Sequence, residues 1–344
     1  MENVDNIMRQ ASTEIRNFIL RLCMNGGVNV AAEAARHFGI SRQAAARHLN
    51  ILEKSGAVRS EGKGNSKLSR LVPQIEKSWD FPVSGLREDV VWMENIAPHL
   101  KDLPENVLDM WHYGVTEMVN NAIDHSEGTN ISIHFARTAL DAEIWIADDG
   151  EGIFHRIQRL ANLYDAREAI LELAKGKFTT DPANHSGEGI FFTSRAFDSF
   201  AILSRNLFFS HEAEHDDWLI DKEKDTPGTR VVLKLEHSSS RTLNSIYSEF
   251  AAPEEYTFSK TIVPVRLARH EGEKLISRSQ AKRLVSRFEK FKTVVLDFEG
   301  VEEIGQAFTD EIFRVFASSH PEVELIPMNG STEVQQMIVR VLAR

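Results

Sequence analysis

The chain has 344 residues, 42% hydrophobic and 26% charged, with 40 Lys and Arg against 51 Asp and Glu, a formal net charge of −11. This excludes disordered and collagen-like chains, and the length suggests two or three domains. A lone Cys23 excludes a disulfide framework and a multi-cysteine zinc site. No apolar run reaches the about 18 residues of a membrane span, and the start MENVDNIMRQ has no signal-peptide core, so a cytoplasmic protein without a membrane partner is expected. The acidic total argues against nucleic acid as a partner, but the charge is divided. Residues 1–73 hold eleven Lys and Arg against six Asp and Glu, a net of +5, which leaves −16 for the rest. A basic block on an acidic body predicts a separate module with its own partner.

In that block, ASTEIRNFILRLCMNGG spaces Ile15, Phe18, Ile19, Leu22 and Cys23 as a helix that Gly26 and Gly27 stop. VAAEAARHF reads as a short helix closed by Gly39, and Ser41 as the N-cap of RQAAARHLNILEKSG. AVRSE and SKLSRLV then read as two strands around Gly62-Lys63-Gly64-Asn65. Helix, turn, helix and hairpin predict a winged helix-turn-helix over residues 1–73, resembling bacterial winged-helix regulators in AARHFGISRQAAARHLNILEKSGAV. In this motif the second helix enters the major groove of double-stranded DNA. Arg42, Gln43 and Arg47 would then reach base edges or backbone, and Lys63 and Lys67 would touch phosphates from the wing. The same residues also suit a protein-interaction domain with a solvated basic face. Pro73 and Pro82 mark a predicted linker.

PENVLDMWHYGVTEMVNNAIDHS predicts one long helix. Glu117 and Asn121, four apart, share a face, with Asp124 and His125 a turn further on. A carboxylate there can take a proton from attacking water, and an amide can ligate a magnesium that bridges phosphates. The strand AEIWIADDGEGIF ends at Asp149-Gly150-Glu151-Gly152, where the carboxylate can accept from a base and the glycines admit it closely. HSGEGIFFTSRAFD places Gly187 and Gly189 before a helix, whose free amides can hold phosphate. DTPGTRVVLKL supplies a strand behind Gly228 and Thr229.

These four segments resemble the GHKL ATPase superfamily: TEMVNNAIDHS its N-box, DDGEGI and HSGEGIF its two glycine boxes, and PGTRVVLKL its closing strand. The resemblance, over roughly residues 85–240, implies a Bergerat-fold α/β sandwich with ATP and Mg2+ as cofactors. By position it makes Glu117 the general base and Asn121 the metal ligand, with Asp124, Asp149, Gly150, Gly152, Ile153 and Thr229 around the nucleotide and Gly187 and Gly189 as the phosphate loop. Residues 154–186 become the ATP lid, in which Lys175 and Lys177 read either as γ-phosphate contacts or as solvated surface. His125 and His185 flank the site. The acid at Glu117 favours hydrolysis or transfer to a hydroxyl, and no histidine carries a phosphoacceptor pattern.

Beyond Ala252-Pro253-Glu254-Glu255, strands at TFSKTIVPVRLA, KTVVLDF and VELIPM alternate with three helices, the last N-capped by Ser331. VVLDFEGVEEIGQAFTDEIFRVF resembles the STAS-like domains of unknown function that accompany GHKL ATPases, and distantly the anti-sigma-factor antagonists. Where those antagonists carry a phosphorylated serine this chain has Gln306, with Thr309 the nearest hydroxyl, so a binding or dimerisation module is expected. The expected architecture is α/β multidomain: winged helix-turn-helix 1–73, GHKL ATPase 80–250 and STAS-like α/β domain 255–344. The function it implies is an ATP-controlled, homodimeric DNA-binding transcriptional regulator with a possible protein partner at the STAS-like domain. The alternative is a serine/threonine kinase of the anti-sigma type, with the N-terminal block binding protein.

Overall fold

A computed structural model of the chain describes residues 2–62, 67–179, 187–212, 215–221, 226–251, 257–269 and 273–343. The N-terminal unit contains helix α1 (Glu2–Cys23), strand β1 (Gly27–Val28), helices α2 (Val30–Phe38) and α3 (Arg42–Lys54), and strands β2 (Val58–Glu61) and β3 (Leu68–Leu71). Gly39 closes α2 in the left-handed region at φ 64°, donating its N–H to Ala35 O. Ser41 Oγ accepts from Ala44 N at 3.1 Å and starts α3. The strands pair antiparallel in the order β1-β3-β2. Ile15, Ile19, Leu20 and Cys23 of α1 meet Ala45, Leu49 and Leu52 of α3 in a core that also takes in Leu140 from the central unit. Burial pushes the Cys23 thiol up to about 11, so it is an inert core group.

The segment expected as a linker is instead strand β4 (Ile75–Pro82), the edge of a seven-stranded sheet. Ile75, Trp79 and Phe81 are its inward residues, a period of two that outweighs the flanking prolines, which sit before the strand and at its last position. A short helix α4 (Glu88–Val90) runs through a π-helical turn, Val91–Ile96, ahead of the long helix α5 (Glu105–His125). The remaining central elements are β5 (Asn130–Arg137), β6 (Asp141–Asp148), α6 (Ile153–Ala161), α7 (Glu168–Lys175), α8 (Gly189–Ala196), β7 (Ser199–Ser204), β8 (Leu207–Glu212), β9 (His215–Asp221), β10 (Thr229–Glu236) and α9 (Leu243–Phe250). Every pairing is antiparallel, in the order β4-β5-β6-β10-β7-β8-β9. Helices α5 and α8 pack together against this sheet, burying Trp111 edge-on to Phe197 at 4.8 Å.

The C-terminal unit has a three-stranded parallel sheet of β11 (Lys260–Pro264), β12 (Thr293–Asp297) and β13 (Glu324–Met328). Its helices are α10 (Arg278–Val285), α11 (Gln306–Asp310), which continues through a π-helical turn to α12 (Ala317–Ser319), and α13 (Thr332–Leu342), N-capped by Ser331. The boundary expected near 252–255 lies outside the described residues, and no gap in the core accompanies it. One apolar cluster runs from Val91 to Val341. Phe258 joins the two sides, its ring tilted against Phe191 at 4.5 Å and edge-on to Phe291 at 5.4 Å. The molecule is thus a mixed α/β protein with several sheets, in which the N-terminal core stands apart and the other two are continuous.

Candidate functional site

A cavity of about 360 Å³ opens between α5, the ends of β6 and β10, α6 and the start of α8. Glu117, Asn120, Asn121, His125 and Ser126 line it from α5 and its end, and Asp148, Thr229 and Ile146 from the sheet. Gly187 and Gly189 line the α8 side, and Ile153, Arg156, Leu173 and Phe178 the remainder. Segments far apart in sequence therefore converge on one apolar-walled hollow with a few polar groups.

Helical spacing brings Glu117 and Asn121 to the same wall. A Cβ at Gly189 would fall 2.0 Å from Glu117 Oε2, so any larger residue there would have to displace that carboxylate. Gly187, at φ 72°, has its Cα on the backbone of Phe178, where a Cβ would lie 2.4 Å from the carbonyl. Behind Glu117, the hydroxyls of Tyr113 and Tyr247 are hydrogen-bonded to each other. Burial first, then that bond and the Glu117 charge, push the Tyr113 phenol far above its ordinary value.

The adjacent carboxylates Asp148 and Asp149 part company. Asp149, expected at the base, does not line the cavity. It is exposed and accepts from Thr129 N (2.6 Å), Thr129 Oγ1 (2.9 Å), Asn130 N (2.9 Å) and Asn130 Nδ2 (3.0 Å). These donors, the Asn130 amide foremost, hold its carboxyl far below the usual range. Asp148 takes the cavity position instead. Its Oδ1 accepts from Gly150 N at 2.9 Å and Thr229 N at 3.2 Å, while Oδ2 has no donor among the described residues. Burial raises the Asp148 pKa, partly offset by those two amides. The alternation of β6 carries the signal that the doublet obscures: Ala142, Ile144 and Ile146 are buried, so Asp148 is next on that face and Asp149 on the other.

Asp124, Gly150 and Gly152 also lie outside the lining. Asp124 is exposed on α5. Gly150 packs on the Ser126 carbonyl, and Gly152, at φ 92°, precedes α6 beside Ser204. Ile153 and Thr229 line the cavity and are tied together, Ile153 N donating to Thr229 Oγ1 at 2.9 Å. Lys175 is fully buried and Lys177 half-buried; neither lines the cavity, and both ammonium groups donate to backbone carbonyls of the C-terminal unit. His185 lies outside the described residues. Arg156, Phe178 and the apolar wall were not legible, because nothing in their local pattern marks them. Among the described residues no group of three or more His, Cys, Asp or Glu converges on a metal position. A magnesium carried on phosphates needs only one or two protein oxygens, and Asn121 can offer one.

On the N-terminal unit, Arg42, Gln43 and Arg47 are exposed along α3. Lys67 is paired with Glu53 at 2.7 Å, and Lys63 lies outside the described residues. In the C-terminal unit Gln306 is exposed, whereas Thr309 is fully buried with its hydroxyl donating to Gly305 O at 2.9 Å. Thr309 is therefore closed to a phosphoryl donor.

Residues 280–335 match a family described as a STAS-like domain of unknown function, DUF4325. No curated protein matches the chain. The chain is thus a multidomain α/β protein with a STAS-like domain near its C-terminus. Among the described residues, no helix is long and apolar enough to cross a membrane.

Proposed function

We propose that the chain is an ATP-dependent regulator: a GHKL-type nucleotide site in the central unit, joined to a DNA-binding winged helix and a STAS-like partner domain. The observation that carries this reading is the convergence of Glu117, Asn121, Asp148, Gly187, Gly189 and Thr229 on one cavity. Its residues fit the nucleotide. Asp148 Oδ2, with no donor among the described residues, suits the exocyclic amine of adenine, and Gly187 and Gly189 put bare backbone on the cavity wall at the start of α8, where amides suit phosphates. When bound, magnesium ATP supplies an electrophilic terminal phosphate. Asn121 would hold the metal through its amide oxygen, and Glu117 would accept the proton of a water attacking that phosphate. Thr229 fixes the turn at Ile153 and steadies Asp148 through its own amide.

On this reading α3 enters the major groove of double-stranded DNA, with Arg42, Gln43 and Arg47 facing it, and a homodimer reads two half-sites. Lys67, already paired to Glu53, contributes little. Calorimetric titration with magnesium ATP, and duplex binding across a salt series with and without nucleotide, test the two halves separately. Loss of duplex affinity in R42A/R47A, with a salt slope lower by about two, supports phosphate and base contact. Binding that does not weaken with salt refutes the DNA half. Label from ATP recovered on a protein hydroxyl instead of as free phosphate would make the chain a kinase.

A further inference from the structure

The end of α7 and residues 176–178 after it are tied to the C-terminal unit by a set of side-chain contacts. Glu172 Oε1 accepts from Lys175 Nζ at 2.7 Å, and Glu172 Oε2 from Arg287 Nη1 at 2.5 Å. Arg287 Nη2 donates to Gly176 O at 2.8 Å, and its guanidinium lies over the Phe178 ring, 4.9 Å from the centroid. Lys175 Nζ also caps the end of α10, donating to Arg283 O at 2.9 Å and Ser286 O at 3.0 Å. Arg283 pairs with Glu168 at 2.8 Å, and Thr261 Oγ1 donates to Lys175 O at 2.8 Å. The whole of α7 is buried from Ala169 to Lys175.

The path continues to the cavity. Phe178 lines it, and Gly187 rests on the Phe178 backbone. Arg287 itself is at φ 68°, a left-handed conformation unusual for a residue of its size, kept where its side chain grips three groups at once.

We infer that Arg287, supplied by the STAS-like domain, is a positioning residue for the nucleotide cavity: it fixes the Gly176–Phe178 wall against which the phosphate-loop glycine is seated. The inference rests on the nucleotide reading above for what the cavity binds, but not for what holds its wall. A bidentate guanidinium with a stacked face is the group that meets this geometry, and lysine can replace only part of it. Occupancy of the cavity and docking of the STAS-like domain are then linked reciprocally, so a partner that pulls α10 away from α7 weakens nucleotide binding by the same factor.

The test uses the full chain in three forms, wild type, R287A and R287K, with magnesium ATP affinity by calorimetry and amide hydrogen exchange by mass spectrometry. The expected result is affinity about tenfold weaker in R287A, partly recovered in R287K. Exchange should quicken over residues 173–179 and 187–191 and stay unchanged in the middle of α5. Faster exchange with unaltered affinity would make Arg287 a structural brace only and overturn the inference, as would no change in either. If the wild type binds no nucleotide, the nucleotide reading fails by itself, and the wall assignment stands or falls on exchange at 187–191. Should R287A not fold, E172Q removes the charge that Arg287 grips while keeping its shape, and the same two outcomes apply.

Discussion

Exchanging Asp148 for asparagine separates the roles of the adjacent carboxylates Asp148 and Asp149. Asp148 Oδ1 already accepts two backbone amides, and an asparagine oxygen can accept the same two, so the turn into Gly150 and the tie to Thr229 survive. What changes is the second oxygen, which becomes a donor and, on the proposed reading, would meet an adenine amine with the wrong polarity. A hydrogen bond to a charged acceptor is worth about 2 kcal/mol, so magnesium ATP should bind roughly thirtyfold more weakly. Burial already disfavours the ionised form of Asp148, so D148N should fold at least as well as the wild type. D149N is the opposite case. It replaces an acceptor of four hydrogen bonds on the far face of β6, leaving Nδ2 of the new side chain opposed to Nδ2 of Asn130, and it should lower the melting temperature while leaving affinity unchanged. Calorimetric titration of both variants beside thermal unfolding decides the matter. Wild-type affinity in D148N, or equal losses in the two variants, refutes the assignment of Asp148 to the base.

E117A should retain nucleotide and lose turnover, read by titration and phosphate release on the same sample. G189A drives a Cβ into the Glu117 carboxylate and should lose turnover too; normal release in G189A would mean that the carboxylate's placement is irrelevant. Lys175 carries a pH signature. Burial lowers its pKa to about 8 from 10.5, so between those values the unfolded chain keeps a proton that the folded chain has released. Unfolding free energy from this group therefore rises with pH across that window, by at most about 3 kcal/mol, and denaturant titrations of K175M should lack the rise. Leu140 is almost fully buried in the N-terminal core although it belongs to the β5–β6 turn. L140A should cost about 3 kcal/mol of that docking, seen as faster hydrogen exchange in α1 with the central sheet unaffected.

Local chemistry made most of the elements legible in the sequence. Ser41 and Ser331 announce their helices, Gly39 ends one, and the spacing of Glu117 and Asn121 fixes their common wall. The errors have one physical origin, the choice between adjacent positions or patterns when a stronger-looking cue is nearby. Two aspartates in succession invite either to be chosen, and only the burial of Ile144 and Ile146 points to Asp148. Prolines at 73 and 82 suggested a linker where Ile75, Trp79 and Phe81 already alternated. The fates of Lys175 and Lys177 were out of reach, because their carbonyl partners lie more than a hundred residues away and a backbone carbonyl leaves no mark in a sequence.

Strand β6 has the cavity at one end and the N-terminal unit at the other. Asp148 closes it beside the cavity, and Leu140, just before Asp141, is inserted into the N-terminal core. On the neighbouring strand, beside that end, Glu236 grips Arg21 through a 2.7 Å ion pair. The seven steps between Asp141 and Asp148 span about 24 Å, clamped along their length by β5 and β10. Only three residues separate β3 from β4, so the N-terminal unit hangs on no tether that could absorb a displacement. On the proposed reading, a tilt of the strand at Asp148 would pass to α1 through these contacts, as by a push-rod, and would turn α3 with it.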